Sequence, residues 1–222
     1  MSADVGPPRR LAAIPIETRH MDDERALADA VASLRAGGVV VVPTDTVYGL
    51  AALPSDPGAV RKIFLAKGRP ADVHLPVMAA SLEQIRRLGV AISRDGAALA
   101  GRWWPGPLTL AFGFDADASR PAWLEGRLEV AVRVPDHDFL RAVLMQTGVL
   151  LVTSANQHGW ATPPGAEEAA TTLAPHVSLI IDGGRLEVTP STLVNVGGAV
   201  PVIEREGALS EADIAQVLEQ SR

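Results

Sequence analysis

Four consecutive valines, Val39, Val40, Val41 and Val42, stand between Gly37-Gly38 and Pro43. Branching at Cβ favours the extended chain, and the side chains of a strand alternate between its two faces. A strand with valine on both faces needs both faces covered. That requirement constrains the chain to helices packed on a sheet. The rest of the chain follows the same alternation. Residues 23–36 carry Leu27, Ala30, Val31 and Leu34 along one helical stripe, which Gly37-Gly38 ends. Asp56-Pro57 supplies the N-cap and first residue of a helix through Ile63, Phe64 and Ala66, stopping at Gly68. Ser81 and Gln84 read as a capping box for a helix with Leu82, Ile85 and Leu88. A further helix at 93–102 ends at Trp104-Pro105-Gly106-Pro107.

Residues 108–114 and 128–134 have the composition of strands. The second alternates, with Leu128, Val130, Val132 and Val134 on one face and Glu129, Ala131 and Arg133 on the other. A helix over 138–146 closed by Gly148, a strand over 149–152, a helix over 166–173 and a strand over 177–181 follow. Segments 191–196 and 199–205 read as a hairpin around Gly197-Gly198, and Ser210 with Asp213 caps a last helix through Ile214, Val217 and Leu218. The expected fold is therefore α/β (α+β), a single domain whose mixed sheet is flanked by helices. Residues 1–12 are expected to be a flexible tail and 13–222 the domain.

Composition narrows the chemistry. The chain's 222 residues suffice for one large domain, and they contain no cysteine. Thiol nucleophiles, disulfide scaffolds, zinc ribbons and iron–sulfur sites are thereby excluded, which suits a reducing cytoplasm. A net charge of −6 argues against coating nucleic acid by bulk charge. Any phosphate chemistry must be local. No uncharged apolar run of about 18 residues is present for a membrane span, and no secretory leader pattern opens the chain. Walker A, G-x-G-x-x-G, G-x-S-x-G and H-E-x-x-H motifs are all absent. The histidines His20, His74, His137, His158 and His176 are scattered; in Asp136-His137-Asp138 the aspartate before the helix reads as a cap rather than a metal ligand.

Four polar constellations remain. Lys67-Gly68-Arg69-Pro70 contains one of only two lysines. Pro70 holds Arg69 extended, so Lys67 and Arg69 face the same side and suit a polyphosphate. The bland alternative is a lysine at a helix C-terminus beside a surface arginine. Ser154-Ala155-Asn156 follows an apolar strand, where ligands commonly sit in α/β sheets, although the same pair can cap a turn. In residues 43–50, Thr44 and Thr46 flank Asp45 just before Tyr48, the chain's only tyrosine. These are uncharged anchors for a small polar substrate, or simply a turn. Arg133 either lines a cleft or is solvated, the second being the usual outcome.

Together these segments resemble a family. VVVVPTDTVYGL at 39–50, KGRP at 67–70, WPGPLTL at 104–110, VAVRVP at 130–135, VTSAN at 152–156, STLV at 191–194 and REGA at 205–208 occur in the order of the YrdC-like threonylcarbamoyl-adenylate synthases. The resemblance spans about residues 25–210. It implies a YrdC-like fold with a twisted sheet and a concave, positively lined cleft. The implied reaction joins L-threonine, bicarbonate and ATP, carried as its Mg²⁺ complex, into threonylcarbamoyl-AMP and pyrophosphate. Downstream threonylcarbamoyl-transferase proteins would then modify tRNA, and a weak tRNA or double-stranded RNA contact is a further expectation. By resemblance, Lys67 and Arg69 are catalytic. Lys67, Arg69, Ser154, Asn156 and Arg205 bind ATP, and Thr44, Arg133 and Ser191 bind threonine. No resident metal is implied. The chain departs from the family at His74-Leu75, where many relatives have Pro-Leu, and at His158, usually serine. A chain ending at Arg222 is expected to lack the additional domain of the family's long variant. Two rivals to the synthase are a non-catalytic double-stranded RNA-binding module, disfavoured by the net charge, and a hydrogenase-maturation carbamoyltransferase domain, disfavoured by length and the lack of cysteine.

Overall fold

The computed structural model describes residues 16–68 and 74–221. The expected tail at 1–12, together with Arg69 and Pro70, lies outside the described residues. In chain order the first elements are β1 (Glu17–His20), α1 (Ala26–Arg35), β2 (Val40–Val42), β3 (Gly49–Ala52), α2 (Pro57–Lys67), β4 (Val77–Met78), α3 (Leu82–Arg86) and α4 (Arg94–Trp103). There follow β5 (Leu108–Gly113), β6 (Glu129–Arg133), α5 (Asp138–Thr147), β7 (Leu150–Ser154), α6 (Ala166–Leu173), β8 (Leu179–Asp182), β9 (Thr192–Asn195), β10 (Val202–Arg205) and α7 (Glu211–Gln220). The described strands form one mixed sheet in the order β1-β8-β2-β3-β7-β4-β6-β5-β9-β10. The expected hairpin is present, β9 and β10 pairing antiparallel with a register shift between Ile203 and Arg205.

The valine run serves both faces. Val39 and Val41 belong to one apolar cluster and Val40 and Val42 to the other. Neighbouring strands divide likewise: Leu151 and Ile180 join the first cluster, Leu150, Val152, Leu179 and Ile181 the second. On the first face Ile63, Ile85, Leu99, Leu173 and Ile214 bring α2, α3, α4, α6 and α7 onto the sheet. On the second face only α1 and α5 contribute, through residues such as Leu34 and Leu144. That second cluster stops at Met78 of β4, and no buried residue of β5, β6, β9 or β10 belongs to it. Half of one sheet face therefore lacks the helical cover that the other half has.

Helix ends largely follow the chain's local signals. Asp56 caps α2, accepting hydrogen bonds from Gly58 N and Ala59 N, and Gly68 ends it in the left-handed region at φ 58°. Ser210 and Asp213 form a full capping box. The Ser81 box is one-sided: Ser81 accepts from Gln84 N, but the Gln84 side chain accepts from Ala80 N. Asp136 is not the cap of α5; His137 is, its Nδ1 accepting from Leu140 N at 3.4 Å. Leu128 precedes β6 and is 90% exposed, so the apolar row begins at Val130. Three strands escape sequence reading. β1 is a polar edge strand, β3 (GLAA) lacks β-branched residues, and β4 has two residues.

Replacing Asp56 by alanine removes an acceptor from two backbone N–H groups. The expected loss is about 1 kcal/mol, read as a lower urea midpoint with an unchanged denaturant slope.

Candidate active site

The uncovered half-face carries a row of side chains across five strands. Met78 pairs with Arg133, and the ladder from Leu110↔Val132 brings Thr109 opposite Arg133. Thr109 then pairs with Leu193, and Leu193 with Arg205. The row lies in the wall of a cavity of about 680 Å³, bounded also by the 44–49 segment and the turn after β7. Thr44, Lys67, Arg133, Ser154, Asn156, Ser191 and Arg205 all line it. Every site residue expected from sequence and described here therefore meets in one cavity.

Arg133 is 3% exposed and joins three stretches of chain. Its Nε donates to Gly106 O (3.0 Å), Nη1 to Thr46 Oγ1 (2.8 Å) and Nη2 to Asp45 Oδ1 (2.6 Å). Burial pulls the guanidinium below the ordinary arginine value, and the Asp45 charge opposes that shift. The turn that presents the Gly106 carbonyl has no room for a side chain, since a Cβ there would lie 2.5 Å from Trp103 O. The other Asp45 oxygen, Oδ2, is buried with no hydrogen-bond partner. His137 feels the same carboxylate: burial lowers its pKa, and Asp45, Asp138 and Asp136 oppose that shift.

Thr44 shapes the loop rather than presenting an idle hydroxyl. Its Oγ1 accepts from Thr46 N (3.0 Å) and Val47 N (3.1 Å) and donates to Val47 O (2.7 Å). Thr46 Oγ1 also lies 3.0 Å from it, so the hydroxyl is fully engaged within its own loop. The loop is next held to the turn after β7, because Ala155 N donates to Tyr48 O at 2.8 Å.

Lys67 is 3% exposed, and its ammonium is directed at that turn. Nζ donates to Ser154 O (2.6 Å), Asn156 O (2.8 Å) and Asn156 Oδ1 (3.1 Å). Ser154 Oγ donates to Asn156 Oδ1 at 2.5 Å, so the hydroxyl and amide share one side as their spacing allows. Asn156 Nδ2 donates to Gln157 O and Trp160 O. The lysine thus braces the turn while placing a positive charge on the cavity wall.

Ser191 and Arg205 form a third group. Arg205 donates from Nε (3.1 Å) and Nη2 (2.9 Å) to Ser191 O, and Thr109 and Ser191 share a hydroxyl hydrogen bond of 2.8 Å. Arg205 has no ion-pair partner among the described residues. Burial, and then the charge of Arg133, lowers its pKa. Behind it, buried Thr192 accepts from Gly207 N and Leu209 N and donates to Leu209 O, fixing the 205–209 loop. Sequence reasoning missed Thr109, Thr192 and the orphaned Asp45 oxygen. A lone threonine in the apolar strand LTLAFG gives no local sign that Thr109 faces a cleft, and the clamp made by Thr192 depends on a loop fifteen or more residues away. Among the described residues, no group of three or more His, Cys, Asp or Glu side chains could hold a metal ion.

Asp45→Ala leaves the Arg133 guanidinium buried without its counter-charge. Denaturant titration is expected to show a loss of about 3–5 kcal/mol. The Asp45→Ala/Arg133→Met double variant should recover a large part of it, and strict additivity of the two single effects would refute the coupling.

Residues 32–207 match the Sua5/YciO/YrdC family profile, described as "Telomere recombination". The chain is 37% identical over 194 residues to threonylcarbamoyl-AMP synthase of Bacillus subtilis, covering 86% of this chain but 56% of that protein. It is 36% identical to a putative threonylcarbamoyl-AMP synthase of Mycobacterium tuberculosis, covering 87% and 89%. Among solved structures, Sua5 of P. abyssi complexed with L-threonine superposes with a TM-score of 0.82 at 35% identity, over 91% of this chain and 60% of that one. YciO of E. coli gives 0.79 at 28% identity, over 90% and 98%. The chain thus spans less than two thirds of the length of several of its relatives. With the profile matched across most of its length and the cavity built from the family's motif segments, the chain belongs to the Sua5/YciO/YrdC family.

Proposed function

We propose that this chain forms L-threonylcarbamoyl-AMP and pyrophosphate from L-threonine, bicarbonate and ATP. The observation that carries the reading is the single cavity into which Thr44, Lys67, Arg133, Ser154, Asn156, Ser191 and Arg205 converge from separate stretches of chain. Support comes also from relatives named as threonylcarbamoyl-AMP synthases and from the fold likeness to a Sua5 crystallised with L-threonine.

In the proposed mechanism the threonine amine and bicarbonate give a carbamate and water. A carbamate oxygen then attacks the α-phosphorus of ATP, the bond to the β-phosphate oxygen breaks, and pyrophosphate leaves. Such a displacement asks the protein mainly for positioning and charge stabilisation. Lys67, Arg69 and Arg205 are assigned to the phosphates, and Ser154 with Asn156 to the nucleotide. Arg133, Ser191 and the loop organised by Thr44 are assigned to threonine. Arg133 and Arg205 lie near enough that the charge of one lowers the pKa of the other, and a polyanion beside them would relieve that repulsion, while Glu129 and Glu204 keep the cavity lining mixed in charge. Mg²⁺ is taken to arrive on the triphosphate, whose oxygens and water suit its octahedral preference. The proposal extends to a cytoplasmic setting, to transfer of the product onto tRNA by downstream proteins and to a weak tRNA or double-stranded RNA contact. None of the described helices is long and apolar enough to cross a membrane.

The test is pyrophosphate release with ATP, Mg²⁺ and bicarbonate, with and without each of several amino acids. Threonine should stimulate release more than the others; release indifferent to threonine refutes the proposal. Lys67→Ala is expected to lower turnover by about 100-fold or more, the range of one lost transition-state charge contact. A near-native circular dichroism spectrum would separate that loss from unfolding, and full activity would show Lys67 to be misassigned.

A further inference from the structure

The described residues lining the cavity include one Phe, Tyr or Trp side chain, Trp160. The other three tryptophans, Trp103, Trp104 and Trp123, pack against the first apolar cluster. Each has a ring partner: Arg102 over Trp103, Phe112 edge-on to Trp104, and Arg127 over Trp123. Trp160 belongs to neither cluster, is 70% exposed, and its indole makes no hydrogen bond, ring contact or cation–π contact among the described residues. A single exposed apolar side chain needs no explanation by itself. This one differs because it stands on the wall of the cavity and on a tightly held turn.

The turn is held at several points. Trp160 N donates to Gln157 O at 3.1 Å, and Asn156 Nδ2 donates to Trp160 O at 2.5 Å. His158 N donates to Lys67 O at 2.8 Å, and Gly159 adopts φ 80°, a left-handed conformation that glycine takes without strain. The backbone carrying the indole is therefore fixed to Lys67 and Asn156, which the proposed function assigns to ATP. Trp160 lines the same cavity as Lys67 and Asn156, so a nucleotide with its phosphates at that cluster would have its base in the cavity that the indole borders.

We propose that Trp160 stacks on the purine base of ATP. The inference rests on the ATP-dependent reading above and adds a base-binding residue to it. Stacking on an aromatic face tolerates any base, so Trp160 contributes affinity for a nucleotide rather than discrimination of adenine.

The test compares Mg²⁺-ATP binding by calorimetry in the full chain, Trp160→Ala and Trp160→Phe, with inorganic tripolyphosphate as the probe that lacks a base. Trp160→Ala should weaken ATP binding about five- to 150-fold while leaving tripolyphosphate within about twofold. Trp160→Phe should retain most of the affinity because a ring remains. Two results overturn the inference alone: a parent that binds ATP and an alanine variant within about twofold of it, or an equal loss for ATP and tripolyphosphate, which would mean a damaged turn. A parent chain with no ATP affinity overturns this inference and the proposed function together.

Discussion

A guanidinium buried on the open half of the sheet holds the cavity in shape. Arg133 leaves β6 where the apolar row of the opposite face continues through Val132 and Val134, so its backbone is fixed by the core. Its three donor groups then tie Gly106, Thr46 and Asp45, which belong to loops far apart in the chain. An ion taken out of water loses solvation that only close partners offset, and these loops are therefore drawn to the charge. Asp45 retains an unpartnered buried oxygen at the same place, an acceptor whose desolvation no hydrogen bond offsets.

The cavity exists because helical cover is unequal. One sheet face receives five helices along its length, whereas α1 and α5 cover the other only as far as β4. Beyond β4 the second face carries Thr109, Glu129, Ala131, Arg133 and Arg205 instead of a continuous apolar surface. Helices pack where apolar surface can be removed from water. Polar side chains on this half-face make further cover unfavourable, and a concave polar site is left on a rigid floor.

Several motif segments acquire a physical reason. Thr192 of STLV clamps Gly207 and Leu209 beside REGA, so two segments fifteen residues apart act as one. Lys67 of KGRP and the SAN turn are one unit, the ammonium satisfying the turn's carbonyls. Gly106 of WPGP presents its carbonyl to Arg133. Order along the chain revealed the segments, and contact explains their company. Arg133 illustrates the difference, because strand alternation assigned its face correctly while leaving open whether that face met water or a cavity.

What the sequence determined by itself is what short-range physics controls. The valine strand with two buried faces, the caps at Asp56 and Ser210, the glycine stop after Lys67 and the late hairpin all depend on neighbours within a few residues. The tertiary structure decided the strand order, the two-residue β4, the half-covered face and the partners of each polar side chain. Lys67 reaches Ser154 and Arg133 reaches Thr46 across 87 residues in each case. Such pairings follow from how the sheet is ordered and covered, and no local propensity encodes them.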